Sequence, residues 1–155
     1  MALETEGIEL DQDVIEKGVE AVLSDPSKGL YFISEVKGTP VAQMMITLEW
    51  SDWRNRQMWW IQSVYTVPGA RRQVTQGLAR RGMGHAPCVG ETGRSRCAQG
   101  HFRALYEHVQ REAEREGAGG LRLYVDEGNE RAQETYRRMG MQCHYKLFEQ
   151  LFTRY

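Results

Sequence analysis

Two stretches of the chain look like the halves of one strand–turn–helix unit. They are Val64-Tyr65-Thr66-Val67-Pro68-Gly69-Ala70-Arg71-Arg72-Gln73 and Gly100-His101-Phe102-Arg103-Ala104-Leu105-Tyr106. The first half begins with the β-branched and aromatic residues of a strand, and the second opens an amphipathic helix. A strand, a basic turn with glycine and a helix N-terminus form an anion site, because N–H groups and the positive end of the helix dipole point at one spot. The two stretches therefore predict an anion site.

Read as one continuous stretch, residues 71–73 and 100–102 resemble the acetyl-CoA pyrophosphate loop of the GNAT superfamily of N-acyltransferases. The family pattern is Arg/Gln-x-x-Gly-x-Gly/Ala, and this chain has Phe102 where glycine or alanine is usual. Two further signatures resemble the family. Residues 59–65 form an aromatic strand that leads directly into the basic turn, and Asn129-x2-Ala132-x3-Tyr136-x3-Gly140 is similar to the motif that flanks the coenzyme.

Hydrophobic periodicity and turn residues predict the order of elements along the chain. Helices are expected at residues 11–23, 101–116 and 130–139, and strands at 30–36, 41–50, 58–67, 121–125 and, as one or two strands, 141–152. Asp11 is the expected cap of the first helix. Together with the resemblance, this order implies one α/β domain over residues 1–155, with a GNAT-like acyl-CoA N-acyltransferase fold: a mixed, mostly antiparallel sheet flanked by helices.

Residues 74–99, which separate the two stretches, fit nothing in the family pattern. Their four arginines and one glutamate give a net charge of +3, and they show no apolar period of a helix or a strand. We therefore expect a loop or disorder. The segment is either a natural surface insertion or a retained intervening sequence. The second alternative is possible because Val74 codons begin with GT and Gln99 can be encoded by CAG, as the two ends of an intron require. His85, Cys88 and Cys97 lack the paired spacing of a zinc site, so no metal is predicted.

The resemblance implies an N-acetyltransferase that uses acetyl-CoA as co-substrate and a primary amine that attacks the thioester directly. It implies that Tyr136 protonates the departing thiolate, although Tyr136 could equally be a core aromatic residue. Glu49 is the first candidate for the base, and Asp52, Glu4 and Glu6 are alternatives. The implied coenzyme-binding residues are Val64, Tyr65, Thr66, Val67, Arg71, Arg72, Gln73, Gly100, His101, Phe102, Asn129 and Tyr136. Asn129 could also be a helix cap.

Net charge and hydropathy limit the classes of binding partner and the cellular compartment that we expect. A net charge of −1 without a continuous basic stripe argues against nucleic acid as a partner. The sequence does contain aromatic residues that could stack on bases, namely Trp50, Trp53, Trp59 and Trp60. We expect these residues in the core and in the wall of the acceptor pocket. No apolar run of membrane length and no signal peptide is present in the sequence. The amine acceptor that the resemblance implies is therefore expected to be a small molecule or a peptide, and we expect a cytoplasmic protein that could form a homodimer.

Two features suggest that activity is impaired. The interrupted pyrophosphate loop leads to the alternative prediction of an inactive or weakened acyl-CoA-binding domain. GNAT domains also usually open with a strand and a helix before an acidic stretch similar to Leu3-Glu4-Thr5-Glu6-Gly7, which here follows almost directly after Met1. We expect the first strand and most of the first helix to be absent, so that the edge of the strand at 30–36 is exposed to unwanted pairing.

Overall fold

The described part of the chain is an α/β arrangement. The computed structural model describes residues 7–71, 78–81 (backbone) and 100–152. The helices are α1 Gln12–Ser24, α2 His101–Arg115 and α3 Glu130–Arg138, and the strands are β1 Leu30–Val36, β2 Thr39–Ser51, β3 Arg56–Thr66, β4 Leu78–Arg81 and β5 Gly120–Leu123. The five strands lie in the order β4-β1-β2-β3-β5. This confirms the predicted fold class.

Local sequence signals account for the first elements. The Asp11 carboxylate caps α1 as predicted, because its Oδ1 accepts from the backbone N–H groups of Asp13 and Val14 at 2.9 and 3.2 Å. A two-residue turn joins β1 to β2 through Lys37 and Gly38, both with positive φ (50° and 81°). Such φ values fit a type I′ turn, whose twist matches that of antiparallel strands.

The sheet is mixed because β5 runs in the same direction as β3. The Gly119 N–H donates to the Gln57 carbonyl at 2.8 Å, and three residues further along both segments the Arg122 guanidinium lies over the Trp60 ring. The pairs β1–β2, β2–β3 and β1–β4 are antiparallel. By the same offset, Arg122 of β5 lies level with Trp60 of β3.

A short strand inside the segment 74–99 pairs with the outer edge of β1. In β4, Leu78 lies opposite Glu35 and Arg81 opposite Phe32. The expectation of a segment without secondary structure is therefore wrong for these four residues, and the same stretch of the β1 edge, expected to be exposed, is covered. The open edge of β1 supplies backbone partners that the segment's own sequence pattern does not reveal. The remainder of 74–99 lies outside the described residues.

The core lies between one face of the sheet and α2. The helical spacing of Phe102, Leu105, Tyr106, Val109 and Ala113 predicts one buried face of α2, and all of them are buried except Phe102, which is half-buried. The largest fully buried side chains are Phe32, Met44, Ile46, Leu105, His101 and Val109. A histidine is therefore part of the core, and the apolar periodicity did not include it.

Residues 123–155 form a compact unit separate from residues 1–122. In this unit the Asn129 side chain caps α3, since its Oδ1 accepts from the Ala132 N–H at 3.1 Å. The helix ends before Gly140, whose φ of 88° suits glycine after a helix. The single domain over residues 1–155 stays a prediction.

The prediction of one or two strands within 141–152 is wrong, because these residues adopt no regular structure. Their alternating apolar residues remain exposed, with Phe148 90% and Phe152 91% accessible. A strand needs a partner for its backbone groups, and β5 ends at Leu123 without pairing to this segment. Among the described residues, none of the helices combines the length and apolar composition that a membrane span requires.

Candidate functional site

The end of β3 and the start of α2 meet at the same end of the sheet. Ser34 of β1 pairs with Ala42 of β2, and Ala42 pairs with Thr66 of β3, so the three residues form one row across the sheet. Neighbouring strands are about 4.8 Å apart, which puts Ser34 and Thr66 roughly 10 Å from each other. The first residue of α2, His101, has its Nδ1 3.3 Å from Ser34 Oγ. The two predicted halves of the anion site therefore lie near each other.

The start of α2 has the features of an anion site. Gly100 is its N-cap residue and provides no side-chain cap, and no acidic residue lies in the first turn. The first N–H groups of a helix have no acceptor within the helix, and they lie at the positive end of its dipole. A Cβ at Gly100 would meet no described atom within 4 Å. Around Gly100, the described part of the chain thus leaves room for a ligand.

A β-bulge changes the course of β3 just before the predicted coenzyme-binding residues. The pairing shifts between Met44, opposite Val64, and Ile46, opposite Ile61, so that Gln62 and Ser63 together face Met45. A bulge bends its strand and increases the local twist. The bulge therefore lies directly before Val64, Tyr65 and Thr66, and the assignment of these residues to the coenzyme stays a prediction.

Arg71 is held against the end of β3. After the 3₁₀ turn Pro68–Ala70, its Nε donates to the Thr66 carbonyl at 2.8 Å, and its guanidinium lies 5.5 Å from the centre of the Tyr65 ring. A positive charge therefore stands beside the predicted coenzyme strand. Arg72 and Gln73, the other two basic-turn residues assigned to the coenzyme, lie outside the described residues.

His101 occupies a different position from the one that its coenzyme assignment suggests. Its side chain is only 1% exposed and points towards Ser34, away from solvent. Only the backbone N–H of His101 could therefore contact an anion. For Phe102 a backbone contact with the anion also stays a prediction, and its ring lies 6.3 Å from that of Tyr106, centre to centre. The spacing of His101 to Leu105, four residues on, was the signal for a buried side chain.

Glu49, the first candidate for the base, has both carboxylate oxygens in hydrogen bonds. Oε2 accepts from the Trp60 indole N–H, and Oε1 accepts from Arg122 Nη1 at 2.7 Å. The hydrogen bond from Trp60 is the largest cause that lowers the pKa of Glu49 from its ordinary value; desolvation opposes it with a smaller effect, and the bond and charge of Arg122 lower the pKa further. Glu49 is therefore ionised at neutral pH, and a carboxylate with four lone-pair positions can still accept from a water or an amine.

The location of Glu49 limits how it could act. Its cross-strand partner is Met58, four residues before the bulge at Gln62 and so about 13 Å from it along an extended strand. Direct proton transfer requires about 2.6–3.2 Å between heavy atoms. An amine that reacts beside the bulge could thus reach Glu49 only through water.

The remaining acid–base and aromatic candidates lie in different surroundings. Asp52 is in the β2–β3 turn, where its Oδ1 accepts from the Trp53 N–H at 2.9 Å, and Glu4 and Glu6 lie outside the described residues. Trp59 is buried in the core as expected. Trp50 and Trp53 are 57% and 88% exposed, so neither belongs to the core, and their place in the wall of an acceptor pocket stays a prediction.

Tyr136 and Asn129 belong to the unit formed by residues 123–155. Burial raises the pKa of the Tyr136 phenol above its usual value, which keeps it protonated at neutral pH. Asn129 acts as the helix cap, the second of its two predicted roles. The assignments of both residues to coenzyme binding stay predictions, as does the catalytic role of Tyr136.

Comparison with known proteins connects this geometry to one class of protein. No family model matches the sequence, and no curated protein matches it. A crystal structure of a possible acetyltransferase from Clostridium difficile 630 is 37% identical, with a TM-score of 0.76 over 99% of this chain and 85% of that chain.

Two more distant structures share the fold alone. A probable acetyltransferase is 16% identical, with a TM-score of 0.72 over 99% of this chain and 86% of that one. The aminoglycoside acetyltransferase meta-AAC0020 from an uncultured soil metagenomic sample, solved with trehalose, is 11% identical, with a TM-score of 0.63 over 99% of this chain and 82% of that one.

Proposed function

Since this chain belongs to the GNAT superfamily of acetyltransferases, we propose that it transfers the acetyl group of acetyl-CoA to a primary amine by direct attack. The observation that supports this most is the row Ser34–Ala42–Thr66, which brings the end of β3 and the N-terminus of α2 to one end of the sheet. A coenzyme with a pyrophosphate and a long amide-containing arm needs both parts: N–H donors for the phosphates and a strand edge for the arm.

The coenzyme is proposed to bind along this end of the sheet. Its pyrophosphate accepts hydrogen bonds from the first-turn amides of α2, beginning at Gly100, with the positive charge of Arg71 nearby. The resemblance also assigns Arg72 and Gln73, which lie outside the described residues, to the coenzyme. The pantetheine arm lies alongside residues 64–67, which follow the β-bulge, and its amides pair with backbone groups of this stretch.

The chemistry requires two proton transfers. An alkylamine with a pKa of about 10.4 must lose a proton before or during attack on the thioester carbonyl. The C–N bond forms as the C–S bond breaks, and the departing thiolate takes a proton. We assign this donation to Tyr136, whose raised pKa keeps the proton on its oxygen at neutral pH. Glu49 is proposed as the acceptor of the amine proton, through water.

The acceptor is proposed to be a small-molecule amine. Structures of aminoglycoside acetyltransferases, one of them in complex with sisomicin, share the fold at 9–11% identity, which makes polyamino sugars a natural first class to test. A peptide amine is the second class. The polar cluster of Glu49, Trp60 and Arg122 lines one face of the sheet and offers both a carboxylate and an aromatic surface to either.

The test measures coenzyme binding and turnover separately. Calorimetry with acetyl-CoA should show binding, and thiol release from acetyl-CoA should rise when amines such as sisomicin are added. An Arg71→Ala variant should bind more weakly, whereas Arg103→Ala, which removes an exposed arginine paired with Glu107 on α2, should bind as the wild type does. Binding without thiol release for any amine would favour the alternative of a non-catalytic acyl-CoA-binding domain. No binding at all would contradict both.

A further inference from the structure

We propose that His101 is a positioning residue that anchors the N-terminus of α2 to β1 through Ser34 and so keeps the anion site assembled. This inference rests on the proposed function, because the anion site is the one assigned to the coenzyme pyrophosphate. It concerns the side chain of His101, whereas the sequence assigned His101 to direct coenzyme contact.

The contact joins two distant parts of the chain at a buried point. His101 Nδ1 and Ser34 Oγ share a hydrogen bond of 3.3 Å across 67 residues of sequence. His101 is 1% exposed and Ser34 3%. His101 is also the first residue of α2, so the bond acts on the turn whose amides would face the phosphates.

The length of the connection explains why such an anchor is needed. In the uninterrupted family pattern, a short turn joins the basic residues to the helix and sets their relative positions. Here 26 residues separate Gln73 from Gly100, so this chain lacks the short link that sets those positions in the family pattern. The Ser34 contact replaces this restraint with one from the sheet, because Ser34 lies in the same row as Thr66 at the end of β3.

The surroundings of the ring suggest a purpose beyond packing. Its second nitrogen, Nε2, is buried and has no hydrogen-bond partner among the described residues. A buried polar atom without a hydrogen-bond partner lowers the stability of the fold. A leucine, which has a similar size, would avoid this loss of stability in an apolar helix face that includes Leu105 and Val109. Burial also lowers the pKa of His101, so the ring is neutral and available as a hydrogen-bonding group.

Three variants separate anchoring from simple packing. Ser34→Ala and His101→Leu each remove the bond, whereas His101→Asn retains a polar atom near the position of Nδ1. His108→Leu is the matched control. It also replaces a ring on α2 that has a buried Nε2 without a described partner, but His108 lies seven residues further on and packs against Phe32.

The readouts are acetyl-CoA affinity by calorimetry, the KM and kcat for acetyl-CoA, and amide hydrogen exchange without coenzyme. We expect Ser34→Ala and His101→Leu to weaken acetyl-CoA binding roughly fivefold or more, the usual effect of one lost hydrogen bond. KM should rise with little change in kcat. Exchange at the Ala104 amide, which closes the first turn onto Gly100, should quicken by a similar factor. His101→Asn should recover most of the affinity.

The outcomes distinguish a failure of the anchoring role of His101 from a failure of the proposed function. Unchanged affinity in Ser34→Ala and His101→Leu, with wild-type binding intact, would overturn the anchoring role alone. Equal losses in His108→Leu, or no recovery in His101→Asn, would reduce His101 to a packing residue and also overturn it. A wild-type protein that binds no acetyl-CoA would overturn the proposed function, and unchanged exchange at Ala104 would independently show that the bond does not hold the helix start.

Discussion

Arg122 Nη1 donates a hydrogen bond of 2.7 Å to Glu49 Oε1, which joins β5 to β2 across the strand between them. The Arg122 guanidinium also lies 5.8 Å from the centre of the Trp60 ring on that middle strand, and the Trp60 indole donates to the other oxygen of Glu49. Three strands thus share one polar cluster. The cluster holds Glu49 as an ionised carboxylate in a fixed orientation.

The role of Glu49 as a base predicts a pH-dependent defect. Glu49→Gln should lower kcat on the order of 10²-fold at neutral pH, and the defect should shrink towards the amine pKa of about 10.4, where the amine is already neutral. Because the hydrogen bond from Trp60 lowers the pKa of Glu49, the wild-type carboxylate stays ionised at pH values below the ordinary pKa of a glutamate. Its contribution should be lost only as the pH falls through this lowered pKa.

The control for this prediction is Glu107→Gln, which alters a carboxylate paired with Arg103 on the surface of α2. It should leave kcat unchanged. A Glu49→Gln defect of equal size at every pH would mean that Glu49 acts only by holding Trp60 and Arg122.

Tyr136 is expected to supply the proton to the leaving thiolate. Tyr136→Phe should lower kcat by about 10²-fold or more, with the affinity for acetyl-CoA little changed. Since burial raises the pKa of Tyr136, the wild-type donor is protonated at neutral pH and is lost only as the pH rises through that elevated value. An unchanged kcat in the variant would return Tyr136 to the alternative of a core aromatic residue.

Deletion of residues 74–99 should have two separable effects. Joining Gln73 to Gly100 shortens the turn, and because loop-closure entropy rises by about 0.6 kcal/mol per doubling of length, acetyl-CoA binding should tighten roughly tenfold. The deletion also removes β4 and opens the β1 edge that it covers. The variant should therefore melt at a lower temperature and self-associate, as calorimetry and light scattering would show.

Ala79→Pro provides the control, because it removes a backbone donor from β4 without changing the length of the connection. It should lower the melting temperature but leave coenzyme affinity unchanged. Equal acetyl-CoA affinity in the deletion variant and the full chain would show that the insertion does not weaken the site.

Leu105 should be a main determinant of stability. It is fully buried between α2 and the sheet, so Leu105→Ala should lower the free energy of unfolding by about 2–5 kcal/mol through lost burial and a residual cavity. Leu147→Ala, at a side chain that is 63% exposed, should change it by about 0.5 kcal/mol or less. Urea denaturation of both variants would test the comparison, and similar losses in the two would contradict the described core.

Local patterns in the sequence were sufficient to predict most of the helices and strands before β4, and also α2 and α3. The Asp11 cap, the turn at Lys37 and Gly38 and the apolar stripe of α2 are signals that act within a few residues, and each has its expected structure. The family resemblance likewise rested on short motifs. Such signals work because capping, turn geometry and helical periodicity depend on neighbours in the chain.

Tertiary structure alone decided which groups come together. The 141–152 segment has strand-like alternation but no partner, whereas β4 lies in a segment without a period and finds one at the edge of β1. The bonds of Glu49 with Arg122 and of Ser34 with His101 span 73 and 67 residues. Pairing, burial and pKa depend on groups that are distant in sequence. The sequence by itself therefore determined most of the elements and the family, and packing determined which strands pair and what each candidate side chain can do.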